Sequence, residues 1–183
     1  KGRVDLYYPF LIAMTEGLKE GGILGVITSN RYLSTKGGES IRKFLSENYE
    51  ILELIDLGDT KLFDAAVLPA IFIGKKRKTG RIASTNSKFI KVYEELNGYK
   101  GELKTANSIF DILNTNDSGY FNVEGKRYKK TEGILKHDRT TGGTWEMLSL
   151  GETKWVSSIN ENATCNIGEI FKVRVGIKTT ADK

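Results

Sequence analysis

The chain has 183 residues, of which 39% are hydrophobic and 28% are charged, enough for one ordinary domain or one small domain with an extension. This balance excludes a disordered or fibrous protein. The sequence contains neither an 18-residue apolar run nor a secretory signal, which predicts a cytoplasmic protein with no membrane partner. The single cysteine, Cys165, and the single histidine, His137, argue against disulfides, metal sites and histidine-dependent catalysis.

The basic residues concentrate in two short segments. The first runs from Lys75 to Lys78 with Arg81 close behind, and the second comprises Lys126, Arg127, Lys129 and Lys130. A net charge of +5 favours a polyanionic partner where the charge is clustered. The simpler interpretation of each cluster is a solvated loop.

The first elements in chain order are a helix and a strand. Apolar residues recur every three or four positions from Asp5 to Lys19, which predicts an amphipathic helix. Gly21 and Gly22 favour its end at about Glu20. The nearly continuous apolar run Ile23 to Thr28 predicts a strand that is covered on both faces, as in a parallel sheet.

The next segment continues the alternation of helices and strands. Ile41, Phe44 and Leu45 mark a helix to about Asn48, and the run from Ile51 to Leu57 predicts a buried strand. This order predicts an α/β sheet with crossover helices. The strand Leu68 to Lys75 follows after about ten residues, too few for a crossover, so we expect it to be an antiparallel neighbour.

The pattern is weaker beyond Arg81. Ser87 to Leu96 is interpreted as a strand entering a short helix, and Ala106 to Asn114 as a helix. Asn114 to Gly143 is rich in turn-forming residues and is interpreted as a linker or extended arm. Ile170 to Ile177 alternates apolar and basic residues, which predicts a half-exposed strand.

Three segments resemble the gamma-class, amino-group DNA methyltransferases. VDLYYPFLIAMTEGLKEGGILGVITSNRYLS resembles the fifth and sixth motifs of that family, with Ser29 where the family more often has proline. IRKFLSENYEILELIDLGDTKLFDAAVLPAIFIGKK resembles the rest of the catalytic domain, including the eighth motif around Phe63. GEIFKVRVGIKTTADK resembles the opening of the target-recognition region.

This resemblance implies a fold and a division of the chain. The expected fold is α/β, the C-terminal half of a Rossmann-like, S-adenosylmethionine-dependent methyltransferase sheet that is mostly parallel with a reversed last strand, followed by an α+β extension. Residues 1–100 would belong to the catalytic domain, 101–167 would form a linker or extension, and 168–183 would begin the target-recognition region.

The implied function is transfer of a methyl group from S-adenosylmethionine to N6 of adenine in duplex DNA, within a type II or IIG-like restriction-modification system. The family's catalytic Asn-Pro-Pro-Tyr motif and its glycine-rich cofactor loop do not occur in this sequence. We therefore expect no catalytic residue here, a cofactor bound mainly by preceding polypeptide, and no methyl transfer by this chain alone. The implied partners are duplex DNA and a restriction subunit or fused nuclease.

The resemblance also assigns candidate site residues. Phe63 stands where the family stacks an aromatic ring on a flipped adenine, and Ser29 and Asn30 would line the base pocket. The simpler alternatives are core packing for Phe63 and termination of the strand for the other two. The candidate DNA-contacting residues are Arg31, Lys36, Lys61, Lys75 and Lys76. Arg42 is better explained as part of a solvated helix face, beside Lys43 and Glu47.

Two other functions stay open, and one further partner is expected. The chain would otherwise be a non-catalytic DNA-binding or assembly module of a restriction-modification complex, or an RNA or protein methyltransferase, which the recognition-like C-terminal segment disfavours. In the family, the strand Gly22 to Ser29 pairs with a fourth strand that this sequence does not contain. Its open apolar edge predicts self-association of the fragment, or shielding by the C-terminal segment.

Overall fold

The computed structural model describes residues 6–60, 62–63, 67–78, 87–96, 99–137 and 142–172 of the chain. These form two compact units, Lys1–Ser149 and Leu150–Lys183. The elements of the first unit are α1 (Tyr7–Gly17), β1 (Ile23–Ser29), α2 (Arg31–Ser34), a 3-10 turn (Lys36–Gly38), α3 (Glu39–Asn48), β2 (Tyr49–Asp56), β3 (Pro69–Lys76), β4 (Ser87–Glu94), β5 (Lys104–Thr105), α4 (Ile109–Asn114), β6 (Gly119–Val123), β7 (Lys126–Lys136) and β8 (Glu146–Leu148). The second unit contains α5 (Leu150–Asn162) and α6 (Ile167–Ile170).

One mixed sheet organises the first unit. Its strand order is β1-β3-β2-β4-β7-β6-β5, and β8 pairs with β7. Strand β3 is antiparallel to both β1 and β2, so these two strands run in the same direction with a reversed strand between them. Strand β4 is parallel to β2. The predicted α/β class and the predicted reversed strand are both confirmed. The expectation of a mostly parallel sheet is wrong, because among the described strands only the pairs β2–β4 and β5–β6 are parallel and the other five pairs are antiparallel.

Each face of the sheet carries its own apolar core, because successive strand residues point to opposite faces. Helices α1 and α3 and the short helix α2 contribute to one core, whose fully buried members include Leu11, Leu45 and Phe72. Helix α4 contributes to the other core, through Ile112 packed with strand residues such as Val92. Strands β1 and β2 run in the same direction, so their carboxyl ends lie at the same end of the sheet.

Strand β1 differs from the expectation that both of its faces are covered. Leu24 is buried beneath the helices, whereas the side chains of Ile23 and Ile27 on the opposite face are 61% and 53% exposed. Among the described residues, β1 pairs only with β3 and therefore ends the sheet. The apolar side chains of β1 therefore lie on one buried face and on one exposed face. The backbone edge of β1 that faces away from β3 has no strand partner among the described residues.

The segment interpreted as a linker is instead part of the sheet. Strands β6 and β7 form a hairpin whose two turn residues, Glu124 and Gly125, have φ angles of 50° and 80°. This is the backbone twist that short hairpins need. Strand β7 then pairs with β4 along its length, and Lys130 is buried in it. The alternation of apolar and polar residues that marks a strand is not visible in this segment, because the segment is rich in polar residues and has a lysine at an interior position.

Two other predictions are corrected in detail. Ser87–Glu94 is a strand throughout, and the described residues that follow it, 95 and 96, do not begin the expected helix. Ile170 lies at the end of α6, which a capping box formed by Asn166 and Glu169 begins, and not in a strand. The remainder of that predicted strand, 173–177, lies outside the described residues. No described residue of α5 or α6 is buried.

Candidate functional site

The candidate site lies where β1 and β2 end. Because these strands run in the same direction, their carboxyl ends share one edge of the sheet, the usual position of ligand sites in open α/β sheets. Ser29 is the last residue of β1, and Asn30 follows it. The Nδ2 group of Asn30 donates a hydrogen bond to Oδ1 of Asp56, the last residue of β2, at 3.0 Å. This bond joins the two strand ends.

Asp56 is a buried carboxylate, only 3% exposed, at the centre of the site. Its Oδ1 atom also accepts a hydrogen bond from the backbone N–H of Gly58 at 3.2 Å, and its Oδ2 atom accepts one from the Tyr93 hydroxyl at 2.5 Å. A buried charge of this kind is tolerated only where hydrogen bonds replace its lost hydration. Three donors from three chain segments supply that replacement.

Tyr93 joins the site from β4. Burial raises the pKa of its hydroxyl above the ordinary value, and the hydrogen bond to Asp56 raises it further. The backbone of Gly58 packs against its ring: a Cβ at Gly58 would lie 2.5 Å from Cδ1 of the tyrosine. Gly58 also has a φ of 48°, a conformation that residues with side chains rarely adopt. A glycine is therefore required here on two grounds.

The loop between β2 and β3 carries Phe63, and both of its ends are fixed. The backbone N–H of Leu57 donates to the carbonyl of Pro69 at 3.0 Å, and that of Asn30 donates to the carbonyl of Leu68 at 2.8 Å. Ser29 pairs with Pro69 in the sheet. The structure therefore brings Ser29 and Asn30 to the base of the Phe63 loop. The Phe63 side chain itself is 46% exposed, whereas its neighbour Leu62 is partly buried against the second core.

The predicted DNA-contacting residues separate into two groups. Arg31 and Lys36 are exposed and follow directly after β1, in α2 and in the 3-10 turn. Lys61 belongs to the Phe63 loop but lies outside the described residues. Lys75 and Lys76, in contrast, end the reversed strand β3, where they pair with the first residues of β1 and β2. These two lysines are thus at the opposite edge of the sheet.

Lys76 has a structural contact at that opposite edge. Its Nζ atom donates to the carbonyls of Thr15 and Leu18, each at 2.6 Å, at the end of α1. A cation there satisfies helix carbonyls that have no partner within the helix, and it also complements the helix dipole. The structure therefore does not bring Lys75 and Lys76 together with Ser29, Asn30 and Phe63.

Arg42 corrects the expectation of a solvated helix face. It is 2% exposed, and its Nε atom donates to the carbonyls of Gly142 at 3.0 Å and Gly143 at 2.9 Å. Its Nη1 atom donates to the carbonyls of Thr35, at 2.8 Å, and Tyr32. The guanidinium thus joins α2, α3 and the segment before β8. It is a buried packing residue.

Sequence analysis missed Asp56, Gly58 and Tyr93 as parts of the site. An aspartate at the end of an apolar strand, two residues before a glycine, was a usable signal for Asp56 and Gly58. The ends of such strands often line ligand sites. Tyr93 gave no signal, since the parallel pairing of β2 with β4 brings it to Asp56.

The site offers hydrogen-bonding groups and an exposed aromatic ring. Within the described ranges, no three histidine, cysteine or acidic residues are grouped to hold a metal ion. The turn from β1 to α2, Ser29-Asn30-Arg31, contains no glycine, so it does not fit a phosphate- or nucleoside-binding cofactor loop. Of the helices that the structure describes, none has the length and hydropathy to span a membrane.

Comparisons with known proteins find similar restriction-modification methyltransferases. Residues 1–63 match the Eco57I restriction-modification methylase family. The whole chain aligns with the type II methyltransferase M.BanIII of Aneurinibacillus aneurinilyticus at 48% identity over 185 residues, which is 32% of that protein. The chain thus spans about a third of this relative's length and is homologous to a segment of it.

Two further matches are shorter. The type II methyltransferase M.BstVI of Geobacillus stearothermophilus is 39% identical over 77 residues, which cover 41% of this chain and 14% of that protein. A putative class I S-adenosylmethionine-dependent methyltransferase from Listeria monocytogenes, of known structure, is 21% identical, with a TM-score of 0.43. That match covers 50% of this chain and 28% of the other.

Proposed function

We propose that this chain is part of a DNA methyltransferase of a restriction-modification system, which transfers a methyl group from S-adenosylmethionine to N6 of adenine in duplex DNA. The observation that carries the proposal is the joining of the β1 and β2 ends at the base of the Phe63 loop, through Asn30 and Asp56. The similarity of the whole chain to about a third of a type II methyltransferase supports it. Residues 1–100 would then supply catalytic-domain elements, and residues 168–183 would begin target recognition.

Phe63 is the residue that we propose stacks on the target base. A base that leaves the duplex loses its stacking partners, and an aromatic ring restores about 1 to 3 kcal/mol of that energy. The ring is 46% exposed, although exposing an aromatic side chain to water is unfavourable. Its loop is fixed at both ends, which limits the conformational entropy that base binding would cost.

Asn30 and Ser29 would line the pocket beside this ring. A carboxylate only accepts hydrogen bonds, so the amide nitrogen of Asn30 must face Asp56 and its Oδ1 atom faces away from it. Asn30 is therefore oriented to offer an acceptor on the side away from Asp56, and Ser29 would add a hydroxyl, whose oxygen accepts a hydrogen bond from the backbone N–H of Arg31 at 3.4 Å. Arg31, Lys36 and Lys61 follow these elements in the chain and would contact DNA phosphates nearby.

The cofactor and the catalytic groups would come from other parts of the polypeptide. Since the turn after β1 contains no glycine, we assign no cofactor contact to this turn. Inactivity of the isolated chain is therefore part of the proposal. A restriction subunit or a fused nuclease would be the further partner of the complete enzyme, and the cytoplasm its compartment.

The decisive experiment replaces Phe63 by alanine in the complete reading frame and measures methyl transfer from labelled cofactor to duplex DNA. We expect turnover to fall at least tenfold, with weaker binding of duplexes that carry a mismatch at the target base. The matched control is Phe110→Ala, since Phe110 is a phenylalanine on α4 that is 65% exposed. Unchanged turnover in Phe63→Ala would remove Phe63 from the site, and a wild-type protein that binds DNA without methylating it would favour the non-catalytic module.

A further inference from the structure

A cleft of about 340 Å³ lies on the sheet beside the candidate site, between β4 and β7. Its lining includes two lysines, Lys91 and Lys129, together with Tyr93 and Thr131. In the antiparallel register, Tyr93 is opposite Lys129, and Lys91 is opposite Thr131. The two lysines are therefore diagonal neighbours on one face of the sheet, a separation that long side chains can bridge.

Both ammonium groups lack a carboxylate partner within the part of the chain that the structure describes. Lys91 donates from Nζ to the carbonyl of Met147 at 2.8 Å, and Lys129 lies 5.6 Å from the centre of the Tyr120 ring. The ion pairs of the described residues involve Lys43, Lys88, Lys104 and Lys130 instead. Each ammonium group also lies near an aromatic ring, since that of Lys91 is 5.5 Å from the centre of the Phe89 ring.

The acidic residues of the cleft lie at its other end. Glu94 and Glu95 also line it. The backbone N–H of Glu95 donates to the carbonyl of Arg127 at 2.8 Å, so the glutamate has an arginine as its cross-strand neighbour. Opposite charges at that spacing attract one another. On the other side of Lys91, the register of β2 and β4 places the buried carboxylate of Asp56 opposite it, and Asn30, Gly58 and Tyr93 donate hydrogen bonds to that carboxylate.

Aromatic rings adjoin the basic end of the cleft. Tyr99 and Tyr120 stack with their ring centres 3.6 Å apart, and the ammonium of Lys129 lies over the second of them. The guanidinium of Arg127 donates to the carbonyl of Tyr99 at 3.1 Å. Basic side chains interleaved with rings on an open sheet face are typical of surfaces that bind nucleic acid.

The position of the cleft relates it to the candidate site. Tyr93 belongs to both, since its hydroxyl binds Asp56 and its residue lines the cleft. Strand β4 runs parallel to β2, so the cleft lies toward the same sheet edge as the ends of β1 and β2. DNA that presents a base to the Phe63 loop would pass this edge. The basic cluster around Lys129 is thus better placed for DNA than Lys75 and Lys76.

We propose that Lys91 and Lys129 form a phosphate-binding site for the backbone of duplex DNA next to the target base. The proposal rests on the proposed function for the identity of its partner. Each ammonium would contact one phosphate oxygen and displace the condensed counterions there, which makes the contribution to binding salt-dependent and independent of base sequence.

The test uses the complete reading frame with both lysines replaced, Lys91→Gln and Lys129→Gln. DNA affinity is measured by fluorescence anisotropy over a series of salt concentrations, on duplexes with and without the target sequence. We expect the slope of log affinity against log salt to become shallower by about 2, because each lost phosphate contact removes about 0.9. The loss should be similar on both duplexes. The matched control carries Lys43→Gln and Lys136→Gln, two exposed lysines outside the cleft.

The outcomes separate this inference from the proposed function. A shallower slope for the cleft variant but not for the control supports the phosphate site, whether or not the wild-type protein methylates DNA. An unchanged slope, or an equal change in the control, overturns it even if wild-type methylation is robust. In a methylating wild type, the KM for DNA should rise in the cleft variant while kcat is retained. The single variant Lys129→Gln, at the exposed lysine, repeats the measurement if the double variant fails to fold.

Discussion

The hydroxyl of Tyr93 donates a hydrogen bond to Oδ2 of Asp56 at 2.5 Å, across the parallel pair of strands β2 and β4. The same carboxylate accepts hydrogen bonds from Asn30 and Gly58. One buried charge therefore connects the end of β1, the start of the Phe63 loop and β4. The first two predictions below follow from this arrangement.

The first prediction concerns alkaline pH. The pKa of Tyr93 is raised in the folded protein, first by burial and then by Asp56, so the folded state keeps its proton above the ordinary pKa of 10.0. This stabilisation is complete below pH 10 and is lost as the pH rises toward the folded-state pKa. Tyr93→Phe should lower the free energy of unfolding by about 1 kcal/mol at pH 8. Above pH 10, the difference from wild type should shrink.

Urea titrations at several pH values from 8 to above 10 measure this difference. Tyr120→Phe is the control, because the hydroxyls and N–H groups that bind Asp56 belong to Asn30, Gly58 and Tyr93 and not to Tyr120. A gap between Tyr93→Phe and wild type that stays constant through the alkaline range would contradict the prediction.

The second prediction concerns Gly58. Gly58→Ala introduces a Cβ 2.5 Å from the Tyr93 ring, at a φ of 48° that disfavours alanine. We expect the free energy of unfolding to fall by about 1 to 3 kcal/mol, as at other strained backbone positions. Gly25→Ala is the matched control, since a Cβ there meets nothing within 4 Å. Urea midpoints measure both, and equal midpoints for the two variants would show that Tyr93 does not restrict Gly58.

The third prediction concerns the buried guanidinium of Arg42. Arg42→Met leaves four carbonyl oxygens without their donor, and we expect a loss of about 3 to 5 kcal/mol, as for other broken buried charge networks. The neighbouring Lys43 is exposed and has only a loose pair with Glu47 at 3.9 Å. Lys43→Met should therefore change stability by less than about 0.5 kcal/mol. Similar thermal midpoints for the two variants would show that the carbonyl contacts are unimportant.

The fourth prediction concerns the open edge of β1. Among the described residues, one backbone edge of β1 is unpaired, and Ile23 and Ile27 make the adjoining face apolar. A second copy can add a strand at this edge. We expect the 183-residue chain to associate reversibly in sedimentation velocity experiments. Ile27→Lys should shift it toward the monomer, because a charge on an edge strand opposes pairing. Phe110→Lys, at an apolar position on α4 that is 65% exposed, should leave the association intact. A monodisperse monomer at every concentration would contradict this.

The strands that sequence analysis predicted share a continuous apolar run and a short spacing to the next element. This is why β1, β2 and the reversed β3 were identified within two residues. The hairpin of β6 and β7 was missed because its interior position holds Lys130, whose ammonium is neutralised by Glu132 at 2.7 Å. A local pattern does not reveal that a buried lysine has such a partner.

The candidate site was predicted only in part, for a related reason. Phe63, Ser29 and Asn30 were found through the family resemblance, whereas Tyr93 depends on which strand pairs with β2. Arg42 was misread because its sequence neighbours are charged, and two of the four carbonyls that bind it are 100 and 101 residues further along the chain. Contacts of that range follow from the tertiary fold and not from any window of sequence.

The same long-range contact governs how this protein is made. Trp145 belongs to the core that α1 and α3 contribute to, and Arg42 requires the carbonyls just before it. During synthesis, α1 and α3 leave the ribosome well before residues 142–145 are made. Their apolar surfaces stay exposed to solvent until then. A nascent chain stalled before this point would hold an unpaired cation beneath an unfinished core, and would be a substrate for chaperones and proteases.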